Sequence, residues 1–157
     1  MDTPLKLLFF LACEKVIVGE DDHLTSMISV LERVTVQVLA DIPSDAAMPF
    51  RWSTVAVWRR ERDFPSPQTY HQRIAILRPD GEQAGGGEVS FAVSNAHSNF
   101  RNTMYVPAVP VGIPGICKIK LFIRENENDE WIESGDYPIE IVHDTSTKQS
   151  QDETVST

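Results

Sequence analysis

The chain has 157 residues, 41% hydrophobic and 24% charged, which is single-domain size and enough to bury a core without disulfide or metal staples. Its 14 Lys and Arg against 23 Asp and Glu leave a net charge of −9, a balance that repels polyanions and argues against general binding to nucleic acid or to an anionic membrane surface. No run approaches the roughly 18 consecutive apolar residues that a spanning helix needs.

Leu5 to Val18 reads LKLLFFLACEKVIV, apolar on both faces, and predicts a central strand buried on both sides. Its start could pass for a lipoprotein signal ending at Cys13. However, Asp2 occupies the position of a basic n-region, and strand periodicity continues through Cys13 to Val16 and Val18. Gly19 to His23 forms a turn, and Leu24 to Leu39 is read as the return arm of a hairpin. Ala40 to Pro49 reads as a loop, Phe50 to Arg59 as a strand, and Glu61 to Gln68 as a proline-broken connection. Tyr70 to Arg78 predicts a fourth strand, followed by a Pro79-Asp80-Gly81 turn. The returning strand is placed at Glu88 to Val93, with Gly85 to Gly87 as a bulged entry, because no helix or Lys-Ser/Thr follows to make a phosphate loop. Phe100 to Val106 is a weaker strand, and Pro107 to Gly115 a connection. Ile116 to Arg124 alternates cleanly, and Trp131 to Val142 returns with a bend near Gly135 and Pro138.

About eight strands and no helical period predict an all-β fold: a two-sheet antiparallel sandwich, immunoglobulin-like or C2-like, as one domain over residues 1–143. Residues 144–157, almost without apolar side chains, are expected to form a disordered polar tail. Cys13 and Cys117 lie in apolar strand patterns and read as reduced core thiols, hence a cytoplasmic chain.

Several stretches also resemble a known family. Cys13-Glu14, the acidic turn Gly19 to Asp22 and Leu24-Thr25-Ser26-Met27-Ile28-Ser29-Val30 resemble the opening of an uncharacterised family of small bacterial β-sandwich proteins. Leu24-Thr25 stands where that family usually has Lys-Leu, and Ser29 where it has Gly or Asn. Arg78 to Gly81, Pro114-Gly115 and Gly135 to Pro138 are similar to its turns, so the resemblance spans about residues 4 to 143. It implies a β-sandwich and brings no activity and no functional residues.

Catalytic motifs are missing from the sequence. His23, His71, His97 and His143 have no ligand spacing, and Gly-x-Ser-x-Gly, His-Glu-x-x-His and Walker signatures do not occur, so no enzyme and no cofactor are expected. The Trp58 to Arg62 cluster and the Lys118, Lys120, Arg124 stripe read as solvated faces rather than as a nucleic-acid surface. Two surface hypotheses remain. Strict alternation of the strands as read would gather the acidic tips, so that Glu20, Asp21 and Asp22 join Glu127, Asp129 and Glu130 as hard oxygen ligands for calcium. At the other end, Met48, Phe50, Val109, Val111 and Ile113 would form an apolar interface for a protein partner or a homo-oligomer. The function expected is a noncatalytic binding or assembly module acting through loops and sheet edges, with a metal-binding C2-like domain or an enzyme at the acidic end as the alternative.

Overall fold

The computed structural model describes residues 3–146 and contains no helix among them. Nine strands form in chain order: β1 (Leu5–Val18), β2 (Thr25–Val30), β3 (Arg33–Gln37), β4 (Ala47–Arg60), β5 (Gln68–Leu77), β6 (Gln83–Val93), β7 (Asn99–Pro110), β8 (Gly115–Arg124) and β9 (Ile132–Asp144). They make a four-stranded sheet in the order β2-β1-β4-β7 and a five-stranded sheet in the order β3-β9-β8-β5-β6. Every neighbouring pair is antiparallel except β3 and β9, which run parallel. With β1, β4 and β7 on one side and β9, β8 and β5 on the other, this is a two-sheet, mostly antiparallel sandwich, as the strand periodicity predicts. Most of the tail expected to be disordered lies outside the described residues. Asp144, placed at its start, belongs to β9 and stands opposite Gln37.

Period-two alternation explains the core. From β4, Trp52, Ala56 and Trp58 face Ile74, Ile119, Leu121 and Ile139 of the second sheet, all solvent-inaccessible or nearly so. One polar bridge crosses this apolar layer. Gln72 of β5 accepts at Oε1 from Trp58 Nε1 at 2.8 Å and from Asn102 Nδ2 at 3.0 Å, tying the second sheet to β4 and β7 of the first. The expected bulges occur as skipped residues: Ala84 in the glycine-rich entry of β6, and Ser134 beside Gly135 in β9.

Three expectations need correction. Leu24 to Leu39 is two strands in different sheets. Ser29 takes a left-handed backbone (φ 56), the Leu31 N–H is given to Ala12 in the first sheet, and the Glu32 carbonyl accepts from Glu140 in the second. The chain therefore changes sheets between two consecutive residues, a step that continuous β-propensity cannot reveal.

Pro107 to Pro110 is strand rather than connection. It lies on the sheet's edge, where a missing donor is tolerated, and Pro107 faces a two-residue bulge in β4 between Pro49 and Trp52. The Trp52 indole closes that gap by donating to the Ala108 carbonyl at 3.0 Å.

β1 is central but not buried on both sides throughout, since Leu8 and Phe9 are exposed where a bulge shifts its register against β4. Cys13, Val55 and Ser53 share the sheet's outer face by register, yet are solvent-inaccessible. Arg101 of β7 donates to Thr25 at the start of β2. These two strands lie at opposite edges of one sheet, so the contact draws the β1–β2 arm across that outer face.

Candidate functional site

A cavity of about 680 Å³ opens where β1, β5 and β9 begin and β4 and β8 end. Three loops build it, each pinned by its own polar residues. The Glu61 N–H is given to the Pro4 carbonyl at 2.9 Å, which seats the N-terminal segment against the loop after β4. Asn95 clamps that same loop from the next one, accepting from the Phe64 N–H and donating to the Phe64 carbonyl, both at 2.8 Å. Asp129 accepts from the Asn126 backbone and side-chain amides, closing the 125–131 turn in the manner expected of Asn and Asp.

Tyr70 forms part of the cavity wall and is 1% exposed, its ring held edge-on to Phe64 at 6.3 Å and tilted to Phe91 at 6.1 Å. Its hydroxyl has no hydrogen-bond partner among the described residues. Burial pushes its pKa up to about 12, Glu125 adds to the rise, and Arg62 opposes it. Arg62, Arg124, Glu125, Asp129 and Glu130 charge the same cavity, and Ile123 and Ile132 supply an apolar wall. Arg124 stacks on Trp131 at 4.2 Å, with Arg73 on that ring at 4.5 Å, and the Arg124 Nε is buried and unpaired. No local motif announces this site, because its members come from widely separated loops.

The second feature is the β1–β2 arm. Ile17, Val18, Leu24, Ile28 and Val30 are exposed on it, Leu24 by 67%, in a chain whose other large exposed apolar residues are scattered more widely. β2 is an edge strand with the sequence TSMISV, free of charge and proline. The remaining edges carry the devices that discourage pairing: Pro107 and Pro110 on β7, Arg33 on β3, Glu88 and the glycine run on β6. Glu20, Asp21 and Asp22 give the arm an acidic, exposed tip.

The residues singled out from sequence fall differently. Glu20, Asp21 and Asp22 follow the last residue of β1, whereas Glu127 and Asp129 belong to the turn beside its first residues. The two sets are not brought together, because the extra strand reversal at Leu31 inverts the alternation on which their convergence rested. Among the described residues no group of three His, Cys, Asp or Glu is arranged to hold a metal ion.

Met48, Phe50, Val109, Val111 and Ile113 do gather at one end, since Val111 and Gly112 donate to the Ala46 carbonyl. They do not form an open patch. Val109 and Val111 are buried, Met48 and Phe50 pack half-buried against the core, and Ile113 is half-buried. Of the basic groups, Lys118 pairs with Asp136 at 3.5 Å and Lys120 with Glu133 at 3.0 Å, as befits a solvated face. Cys117 is a free thiol that burial pushes up to about 11, and buried Cys13 is also raised, so both lack the thiolate character of a nucleophile.

No protein-family model matches the chain, and no curated protein matches it. Among solved structures, it is similar to the Pseudomonas fluorescens alkylpurine DNA glycosylase AlkC bound to DNA containing an abasic site analog, at 9% identity and a TM-score of 0.46. That match covers 88% of this chain but only 30% of the glycosylase. A second similarity, to the N-terminal domain of PorA, has 7% identity, a TM-score of 0.29 and coverage of 86% and 97%. No helix among the described residues is long and apolar enough to cross a membrane.

Proposed function

We propose that the chain is a noncatalytic cytoplasmic binding module that captures an extended segment of a partner protein along β2. The observation that carries this reading is the concentration of exposed apolar side chains on an arm whose edge strand lacks any blocking charge or proline. An incoming strand would pair its backbone with the free edge and lay alternate apolar side chains beside Ile28 and Val30. The acidic tip sets the partner's charge. Glu20, Asp21 and Asp22 stand at one end of the edge, so the matching segment carries Lys or Arg flanking its apolar alternation. A second copy of this chain fits less well, because two molecules of net charge −9 repel and Glu32 follows β2 with the same sign as the tip. Two free buried thiols support a reducing compartment.

Selection of random peptides displayed on phage against the immobilised full chain tests the reading. The expected consensus alternates apolar residues and carries basic residues at one end, and capture is lost with Ile28→Lys and weakened by Asp21→Lys. Absence of enrichment, or a consensus captured equally by both variants, contradicts it. A concentration-dependent dimer in light scattering that Ile28→Lys abolishes would assign the edge to self-association instead.

A further inference from the structure

The cavity beside Tyr70 shares no residue with the arm, and it presents an unusual set of unused groups. Two residues that line it, Tyr70 and Arg124, each carry a buried donor, the hydroxyl and the Nε–H, with no acceptor among the described residues. A buried polar atom without a partner costs free energy, so an acceptor supplied to these two donors would be stabilising. Both donors suit the same complement, an oxygen acceptor, and the neighbouring Arg62 and Arg124 guanidiniums favour one that carries negative charge.

The same lining also carries groups suited to a positive charge. Glu125 and Glu130 form no ion pair among the described residues and stand ready for an ammonium group, while Asp129 is already engaged by Asn126. Ile123 and Ile132 add apolar surface to the same lining. A volume of about 680 Å³ is ample for a dipeptide and falls in the usual range of small-molecule sites.

The geometry points to a binding site for a small zwitterion with an apolar body, such as a hydrophobic dipeptide, its carboxylate on Tyr70 and Arg124 and its ammonium on Glu125 and Glu130. A simple anion is disfavoured by the carboxylates, and a simple cation by the two guanidiniums. The bifunctional ligand satisfies both sets and also the two orphaned donors.

Titration calorimetry of the full chain with leucyl-leucine, its N-acetyl derivative and its C-terminal amide tests this. The free dipeptide binds, and each blocked form binds about tenfold more weakly, a loss of about 1.4 kcal/mol. Tyr70→Phe weakens the dipeptide while leaving the melting temperature unchanged or higher, since it deletes an unpaired group. Should that variant not fold, Glu125→Gln and Glu130→Gln, both at exposed side chains, report the ammonium contact independently. Failure of leucyl-leucine to bind at about 10 mM overturns the proposal, as does equal affinity for a blocked form or equal affinity in the glutamine variants. Such a failure leaves the β2 reading untouched.

Discussion

Gln72 is solvent-inaccessible and serves as acceptor for two donors from the opposite sheet. Replacing it by leucine keeps much of the volume but strands the Trp58 indole N–H and the Asn102 amide in the core. Gln72→Leu is expected to cost about 2–4 kcal/mol in urea denaturation, several times the effect of a surface change. Two other buried groups give a pH signature. Burial raises Cys117 from 9.0 to about 11 and Tyr70 from 10.0 to about 12, so each stays protonated in the fold after it would ionise in the unfolded chain. Their contribution is fully present below pH 9 and is lost as pH rises through the folded values. Stability is therefore expected to fall across pH 9 to 12, and Cys117→Ala to flatten the lower part of that slope. A slope unchanged by the substitution would remove Cys117 as its source.

At the scale of elements, the strands with a wet face and a dry face were legible because alternation is a local signal. β8 is the clearest, with Cys117, Ile119, Leu121 and Ile123 inward. What could not be read were the features set by partners distant in sequence. The break at Leu31 depends on Ala12 and Glu140, and the survival of Pro107 in a strand depends on a bulge in β4. The cavity was invisible for the same reason, since Pro4, Arg62, Tyr70 and Arg124 meet only after the sheets pack. The end that holds Val109 and Val111 instead closes through tight backbone approach. A Cβ at Gly112 would run into the carbonyl oxygens of Pro43 and Ser44, which are backbone and cannot swing away. Gly112→Ala is expected to destabilise by about 1–3 kcal/mol and to loosen the 38–46 loop, read as faster amide exchange there. A wild-type melting curve would show that the loop is free to move aside.

The molecule as a whole pairs a well-packed apolar core with one arm that leaves apolar side chains in water. Its core is sealed, Arg33, Lys118 and Lys120 have acidic partners on the neighbouring strand, and three of its four edges carry features that resist strand addition. The β1–β2 arm departs from that pattern, with apolar side chains in water beside an uncharged edge. Such exposure is costly to maintain in isolation and, on the proposed function, would be relieved by a second chain laid along β2. Amide hydrogen exchange on the full chain, free and saturated with a selected peptide, tests this most directly. Protection gained at Thr25 to Ile28, with the Pro43 to Ala46 loop and the 125–131 turn unchanged, is the predicted result. Protection at either loop with β2 still exchanging freely would contradict it.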